Sequence, residues 1–229
     1  MRHIFGSIHR SLTAAAPIVL LAAGLFAQGQ HPISGRKYAG VMGTAGADWL
    51  VRPERAAEEQ PDKAIELLGI AKGSTVADIG AGNGYMTWRL AERVGPTGKV
   101  FANDIQPEML ELLRQNMAQR GLKNVETVLG AFDDPKLPSN AIDLVLLVDV
   151  YHEFSEPQKM LRRIRQALKP DGRLVLLEYR GEDPAVPIRP EHKMTVAQVR
   201  AELEPEGYRV DRVLEDLPRQ HILIFKKTP

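Results

Sequence analysis

The chain contains no cysteine, which excludes disulfide bonds, thiolate zinc sites, iron–sulfur ligation and cysteine nucleophiles. It also lacks an excess of either charge, because 30 lysine and arginine residues balance 29 aspartate and glutamate residues. General nucleic-acid binders carry a basic excess or a basic face, so we expect no nucleic-acid partner. The length of 229 residues and a hydrophobic content of 44% suit an ordinary globular protein with one main domain.

Acidic residues are absent from residues 1–30, and residues 11–30 carry no charge at all. The apolar run at 12–27 follows Arg2 and Arg10, has the length of a signal-peptide core and is short for a membrane span. The segment therefore predicts either a secretory signal peptide, with export to the periplasm or the medium, or a membrane anchor. Any membrane association would involve this segment.

The rest of the chain divides into an irregular lead-in at 31–52, which we expect to act as a lid, and a main domain at 53–229. From residue 53 onwards, apolar runs alternate with amphipathic stretches of helical length. We predict helices at 53–69 (interrupted at Pro61), 85–94, 107–120, 157–168 and 195–204, and strands at 74–79, 99–105, 124–130, 141–150, 173–179, 208–214 and 222–226. A turn signal, Lys-Pro-Asp-Gly at 169–172, precedes the fifth strand.

The alternation of apolar runs with amphipathic stretches indicates the fold class. Strands that are apolar on both faces and separated by helices form parallel sheets with helices on both sides. The last two strands have no helix between them, so they should pair antiparallel. We predict an α/β fold with a doubly wound, mostly parallel seven-stranded sheet and an antiparallel C-terminal hairpin.

The strongest chemical signal is a glycine cluster, Asp78-Ile-Gly-Ala-Gly-Asn-Gly, where the first strand ends and a helix begins. Glycines allow a sharp turn and let the backbone approach a ligand at the helix N-terminus. The dinucleotide pattern G-x-G-x-x-G would need Gly or Ala at position 85, where Tyr85 stands. This difference disfavours a pyrophosphate site and a nucleotide-cofactor oxidoreductase.

Asp104 ends the second strand, twenty residues after Gly84. An acidic side chain at that place can accept hydrogen bonds from ribose hydroxyls. Together with the glycine cluster, it predicts a nucleoside-containing ligand.

These motifs, with Gly130-Ala-Phe-Asp133 and Leu168-Lys-Pro-Asp-Gly-Arg-Leu174, resemble those of class I S-adenosylmethionine-dependent methyltransferases. The resemblance covers about residues 53–229 and implies S-adenosylmethionine as cofactor. By analogy, the cofactor's methionine part would lie against Gly80, Gly82 and the neighbouring backbone of Ala81 and Gly84.

The resemblance also implies individual contacts with the cofactor. Asp78 would help hold its amino group, Asp104 would bind the ribose, and Ile105 would pack on the adenine. Phe132 and Asp133 would meet the adenine edge, although the family's acidic residue usually follows the glycine directly. Asp149, at the end of the fourth strand, is a further candidate.

Tyr151 and His152 follow the fourth strand at the sheet edge where ligands bind in open α/β folds. They are our candidate catalytic residues, and His152 is the better general base because the ordinary pKa of histidine is about 6.5. A helix-capping role for His152 remains the alternative.

Glu178, Tyr179, Arg180 and His192 should lie at the rim of the same edge, more in structural than in catalytic roles. Carboxylates after the fourth and fifth strands do not match metal-dependent methyltransferases closely, so we expect no metal. In the lead-in, we expect Trp49 to pack in the core, with contact to the cofactor's sulfonium as the alternative.

The sequence thus predicts methyl transfer from S-adenosylmethionine to a small-molecule acceptor with an oxygen, sulfur, nitrogen or activated-carbon nucleophile. A protein or a lipid-like quinone is an alternative acceptor, and the quinone is favoured if residues 1–30 anchor the chain to a membrane. A non-catalytic cofactor-binding module with the same fold is the main alternative. The lead-in and the loop at 180–195 are too short for a large recognition domain.

Overall fold

The computed structural model describes Met1 and residues 29–228. The strands are β1 (Thr75–Ile79), β2 (Lys99–Asp104), β3 (Val125–Leu129), β4 (Ile142–Val148), β5 (Leu168–Arg180), β6 (Lys193–Met194), β7 (Tyr208–Leu214) and β8 (Gln220–Lys227). The helices are α1 (Arg55–Glu59), α2 (Pro61–Leu67), α3 (Thr87–Val94), α4 (Pro107–Gln119), α5 (Pro157–Ala167) and α6 (Val196–Leu203).

The strands form one mixed sheet in the order β3-β2-β1-β4-β5-β8-β7. β1 pairs in parallel with β2 on one side and with β4 on the other, whereas β8 pairs antiparallel with both β5 and β7. The predicted parallel sheet and antiparallel C-terminal hairpin are confirmed. The chain order reverses between β1 and β4, so a crevice opens at their carboxyl ends.

Two apolar layers cover the sheet because successive strand residues point to opposite faces. One layer contains residues of α5 and α6 against Ala77 and Val145, and the other contains residues of α2 and α3 against Val76 and Leu144. This burial on both sides explains why the central strands are apolar throughout their length.

The predicted turn at 169–172 lies inside a strand. Ile142 pairs with Leu168 and Leu144 pairs with Arg173, so four residues of β5 oppose the single residue Asp143 of β4. The Lys169 ammonium donates to Asp143 Oδ1 at 2.8 Å and ties the resulting bulge to β4. The turn residues therefore bulge out of a strand that begins five residues earlier than the sequence predicts.

Local signals fix other boundaries. The predicted helix at 53–69 divides into α1 and α2 at Gln60. Gln60 has a left-handed backbone, with a φ of 48°, and the next residue, Pro61, begins α2. α6 begins with the capping box of Thr195 and Gln198. The sequence missed β6, a two-residue strand that pairs with the end of β5.

Residues 31–52 contain short 3₁₀ turns at Thr44–Gly46 and Trp49–Val51. None of the helices that the structure describes is both long and apolar enough to span a membrane. The predicted signal or anchor segment lies outside the described residues, except for Met1, Gly29 and Gln30.

Candidate active site

A cavity of about 580 Å³ opens at the carboxyl ends of β1 and β4. Its wall combines the glycine loop after β1, the end of β2, the segment after β4, the lead-in and the loop before β6. The residues that line it are mostly apolar, and they include Val41, Met42, Trp49, Leu50, Ile105, Met109, Phe154, Met160, Pro187 and Ile188.

The glycine loop has a backbone that only glycine adopts without strain. Gly80 has a φ of +70° and Gly82 a φ of +53°, and both line the cavity. A Cβ atom on Gly80 would lie 2.3 Å from Val150 Cγ2, so this position has neither the conformation nor the space for a side chain.

Two other loop residues face away from the cavity wall. A Cβ on Gly84 would meet Met117 and Leu113 of α4, and Ala81 is buried in the same small cluster. These two positions are set by packing between the loop and α4, and their contact with a cofactor stays a prediction.

Asp104 is held at the cavity wall by backbone donors. The Gly82 N–H donates to Asp104 Oδ2 and the Gln106 N–H to Oδ1, each at 2.9 Å. Burial raises the pKa of Asp104, and these two N–H groups act against that shift. A carboxylate offers about four lone-pair sites, so two remain for a ligand's hydroxyl groups.

Asp78 lies behind the glycine loop. Its carboxylate accepts a hydrogen bond from the Thr87 hydroxyl at 2.6 Å and is buried. Burial raises the pKa of Asp78 to about 7. Asp78 is not among the residues that line the cavity, and its predicted contact with an amino group is untested.

Phe132 and Asp133 have different surroundings although they are neighbours. Phe132 lines the cavity while remaining 56% exposed. Asp133 is exposed and does not line the cavity. Of the predicted adenine-edge pair, the structure therefore brings only Phe132 to the site.

Asp149 lines the cavity, and one of its carboxylate oxygens is buried with no partner among the described residues. Its backbone is left-handed, with a φ of 53°, and its Oδ2 accepts from Gln220 Nε2 at 2.7 Å. No described residue offers Oδ1 a hydrogen bond. Burial and the nearby carboxylates of Glu59 and Glu178 raise the pKa of Asp149 well above its ordinary value. A donor supplied by a ligand would satisfy this oxygen.

His152, Glu153 and His192 form a polar part of the same wall. His152 Nδ1 lies 2.6 Å from Glu178 Oε2, and His152 Nε2 lies 3.1 Å from His192 Nδ1. The other Glu178 oxygen accepts from the Tyr151 N–H at 3.0 Å. Glu178 therefore holds the His152 ring through Nδ1, and the other ring nitrogen, Nε2, is left to face His192.

The pKa values of this group shift for identifiable reasons. Burial acts to lower the pKa of His152, but the Glu178 carboxylate outweighs it and the net shift is upward. Burial and the charge of His152 lower the pKa of His192. Burial raises the pKa of Glu153 to about 7, against the opposing effect of His152.

Tyr151 is not part of the cavity wall. Its side chain is fully buried, and its hydroxyl donates to Glu202 Oε2 at 2.9 Å. Glu202 also pairs with Arg36 of the lead-in, whose guanidinium donates to both carboxylate oxygens. The structure thus gives Tyr151 a packing role between α6 and the lead-in, and it brings only His152 of the predicted catalytic pair to the cavity. The sequence offered no signal for Glu202.

The lead-in covers part of the cavity. Met42 O accepts from Gln106 Nε2 at 2.9 Å, and Ala47 O accepts from Asn83 Nδ2 at 3.0 Å. Trp49 lines the cavity and is 42% exposed, so the expectation that it packs in the core is wrong. The lead-in is anchored to the elements that surround the glycine loop.

This arrangement defines a class of protein: a Rossmann-like α/β domain of the methyltransferase type with its cavity at the switch point of the sheet. Comparison with known proteins gives the same answer. A sequence model of the methyltransferase domain family matches residues 70–215, which is more than half of the chain. The chain belongs to this methyltransferase domain family.

Individual relatives agree. The chain is 30% identical to a SAM-dependent methyltransferase from Aquifex aeolicus, whose crystal structure superposes with a TM-score of 0.75 over 80% of this chain and 97% of that one. It is 34% identical over 116 residues to the ubiquinone/menaquinone biosynthesis C-methyltransferase UbiE of Salmonella arizonae. That match covers 50% of this chain, and the chain spans about half the length (46%) of the curated relatives.

A more distant structure shares the fold alone. The mitomycin 7-O-methyltransferase MmcR is 23% identical, with a TM-score of 0.62 over 76% of this chain and 54% of that one. The family and its structural neighbours imply S-adenosylmethionine as the cofactor, as the sequence motifs do.

Proposed function

We propose that this protein transfers the methyl group of S-adenosylmethionine to an apolar small molecule that carries a hydroxyl or enol group. The observation that carries the proposal is one cavity lined both by Gly80, Gly82 and Asp104 and by the imidazoles of His152 and His192. Cofactor-binding groups and polar groups for an acceptor therefore share one cavity.

The residues present fit the cofactor. Gly80 and Gly82 place backbone without a side chain at the cavity wall, and Asp104 has lone pairs left for ribose hydroxyls. Asp149 Oδ1 is a buried acceptor to which no described residue donates. S-adenosylmethionine supplies a methyl group on a positively charged sulfur. The Trp49 ring, at the cavity wall, already has the Arg52 guanidinium 3.7 Å from its centroid, so we assign it no contact with the sulfonium.

The remaining wall suits an apolar acceptor. Phe154, Met160, Pro187 and Ile188 contribute apolar surface, and the two histidines contribute polar groups. Methyl transfer is an in-line displacement, so the protein must mainly align the two partners and exclude water. The UbiE relative is named a C-methyltransferase of ubiquinone and menaquinone biosynthesis, which supports testing quinone-related rings as acceptors.

The test is methyl transfer from labelled S-adenosylmethionine to phenols, catechols and hydroquinones, with and without an isoprenoid tail, followed by mass spectrometry of the product. Ile188→Asp in the apolar wall should raise the KM for the acceptor about tenfold without changing cofactor affinity. The matched control is Ile33→Asp, because Ile33 is 50% exposed and does not line the cavity. Cofactor binding without turnover of any acceptor would favour a non-catalytic binding module.

We further propose that residues 1–30 export the domain or anchor it to a membrane. The uncharged apolar run after Arg2 and Arg10 supports this proposal. N-terminal sequencing and cell fractionation of the expressed chain separate the outcomes. A cleaved N-terminus in an exported fraction indicates a signal peptide, an intact one in the membrane fraction indicates an anchor, and an intact chain outside both fractions contradicts the proposal.

A further inference from the structure

Three potential metal ligands converge in the cavity from two separate turns. His152 and Glu153 belong to the 3₁₀ turn at Tyr151–Glu153 after β4, and His192 belongs to the turn at Pro190–His192 before β6. One ligand atom from each of the three side chains lies within 4.8 Å of the others. Nothing in the mechanism of methyl transfer requires two histidines and a carboxylate to meet in this way.

The distance between the two imidazoles fits ligands of one ion. His152 Nε2 and His192 Nδ1 are 3.1 Å apart, and the two rings are nearly perpendicular, with an interplanar angle of 80°. Two nitrogens that ligate one zinc ion tetrahedrally, at about 2.0–2.1 Å, lie about 3.3 Å from each other. Little movement is needed for both nitrogens to reach the same ion.

The His152 ring is supported as zinc-ligating histidines are. The second ring N–H of such histidines almost always donates a hydrogen bond to a carboxylate, a carbonyl or a water molecule, which fixes the ring's orientation. Here Glu178 Oε2 lies 2.6 Å from His152 Nδ1, and Glu178 is itself fully buried. The pairing leaves His152 Nε2 facing His192 and the cavity.

We propose that His152, Glu153 and His192 bind a zinc ion. Two histidines and one glutamate are a ligand set of catalytic zinc sites, which keep a fourth position open for water or substrate. The two carboxylates of Glu153 and Glu178 balance the charge of a divalent ion. Because all three ligands line the cavity, the open position faces the space assigned to the acceptor.

The zinc site itself goes beyond the proposed function. Only the role suggested for the zinc ion rests on that proposed function. A zinc ion at this place would hold the acceptor's hydroxyl oxygen as a Lewis acid. The sequence predicted no metal because the carboxylates after the fourth and fifth strands do not match those of metal-dependent methyltransferases closely. In the structure Glu178 supports a ligand instead, and the second histidine comes from a loop forty residues away.

The test is calorimetric titration of zinc chloride into the full-length, tag-free chain after removal of metals with a chelator. We expect one zinc ion per chain with a micromolar or lower Kd. His192→Ala and Glu153→Gln should each weaken binding at least tenfold, and Glu178→Gln about 10- to 100-fold. The matched control, Glu191→Gln, changes a neighbouring carboxylate outside the cluster and should leave zinc affinity unchanged.

Cobalt(II) provides a second readout. Its visible absorption in the wild-type chain should show a tetrahedral site, and the bands should disappear in His192→Ala. Thermal melts of each variant confirm that the fold is retained. The proposal is overturned if the folded wild type binds no zinc, or if His192→Ala and Glu153→Gln bind it as tightly as Glu191→Gln does. Binding of iron(II) or manganese(II) but not zinc would also overturn the assignment.

The zinc titration contains no S-adenosylmethionine, and cofactor binding is measured on the metal-free protein. Failure of the metal site is therefore distinguishable from failure of the proposed methyl transfer.

Discussion

Replacement of Asp104 by alanine tests how the fold binds its cofactor. The carboxylate accepts one hydrogen bond on each oxygen, from the Gly82 and Gln106 N–H groups, so two of about four lone-pair sites remain for the ribose. A hydrogen bond to a charged group contributes about 1.5–3 kcal/mol. Allowing for rehydration of the ribose hydroxyls, we expect Asp104→Ala to lose about 2–4 kcal/mol of binding free energy, or about 30- to 700-fold in Kd.

The assay is calorimetric titration of S-adenosylmethionine into the full-length chain. Asp133→Ala is the matched control, because this second aspartate is exposed and lies outside the cavity wall. It should bind within threefold of the wild type. A thermal melt accompanies each variant, since Asp104→Ala also leaves the Gly82 N–H without its acceptor.

One result would refute the reasoning. If Asp104→Ala stays folded and its Kd for S-adenosylmethionine remains within threefold of the wild type, the carboxylate serves only the loop backbone. A loss in Asp133→Ala equal to that in Asp104→Ala would show that the cofactor lies on the exposed side of Phe132 instead.

Three further predictions concern stability. Gly80→Ala should lower the free energy of unfolding by about 2–5 kcal/mol in denaturant titration, from left-handed strain plus overpacking, whereas Gly69→Ala, with open space around its Cβ, should lose only about 1–2 kcal/mol. The pKa of Asp78 is raised to about 7 by burial, so its contribution to stability is full below about pH 4 and is lost as the pH rises through 7. Asp78→Asn should therefore be about 2–4 kcal/mol more stable than the wild type at pH 8 and equal to it near pH 4; the same difference at both pH values would contradict this. Tyr151→Phe should lower stability by about 1–3 kcal/mol, because it leaves the buried Glu202 short of a donor, while turnover stays within twofold in the methyl-transfer assay.

The fold could be predicted from the sequence because its signals are local. Apolar runs between helical stretches identify the strands of a parallel sheet, and the missing helix between β7 and β8 identifies the hairpin. The same reason applies to Gly80, Gly82 and Asp104. Each of them could be predicted as a site residue from its place in a short local motif at the end of a strand. Parallel strands end at one edge, so residues that follow them meet there whatever the details of packing.

Local patterns failed where a strand or side chain depends on a distant partner. The two-residue strand β6 forms only because β5 extends beyond the end of β4 and offers a free edge. The turn signal at 169–172 became a bulge because Leu168 already pairs with Ile142. Trp49 lies in the irregular lead-in, where no periodic pattern shows which way a side chain faces, so the choice between the core and the cavity wall depended on tertiary packing.

The sequence by itself determined the sheet, the glycine loop, the position of Asp104 and the family to which the chain is similar. It ranked His152 above Tyr151 as a general base, but it could not show which of these two neighbours in one turn faces the cavity. Tertiary packing made that choice: Glu202 on α6 holds the tyrosine hydroxyl in the core, and Glu178 on β5 turns the imidazole towards the cavity. Only the tertiary structure also brought His192 to His152, because no local pattern encodes contact between residues forty positions apart.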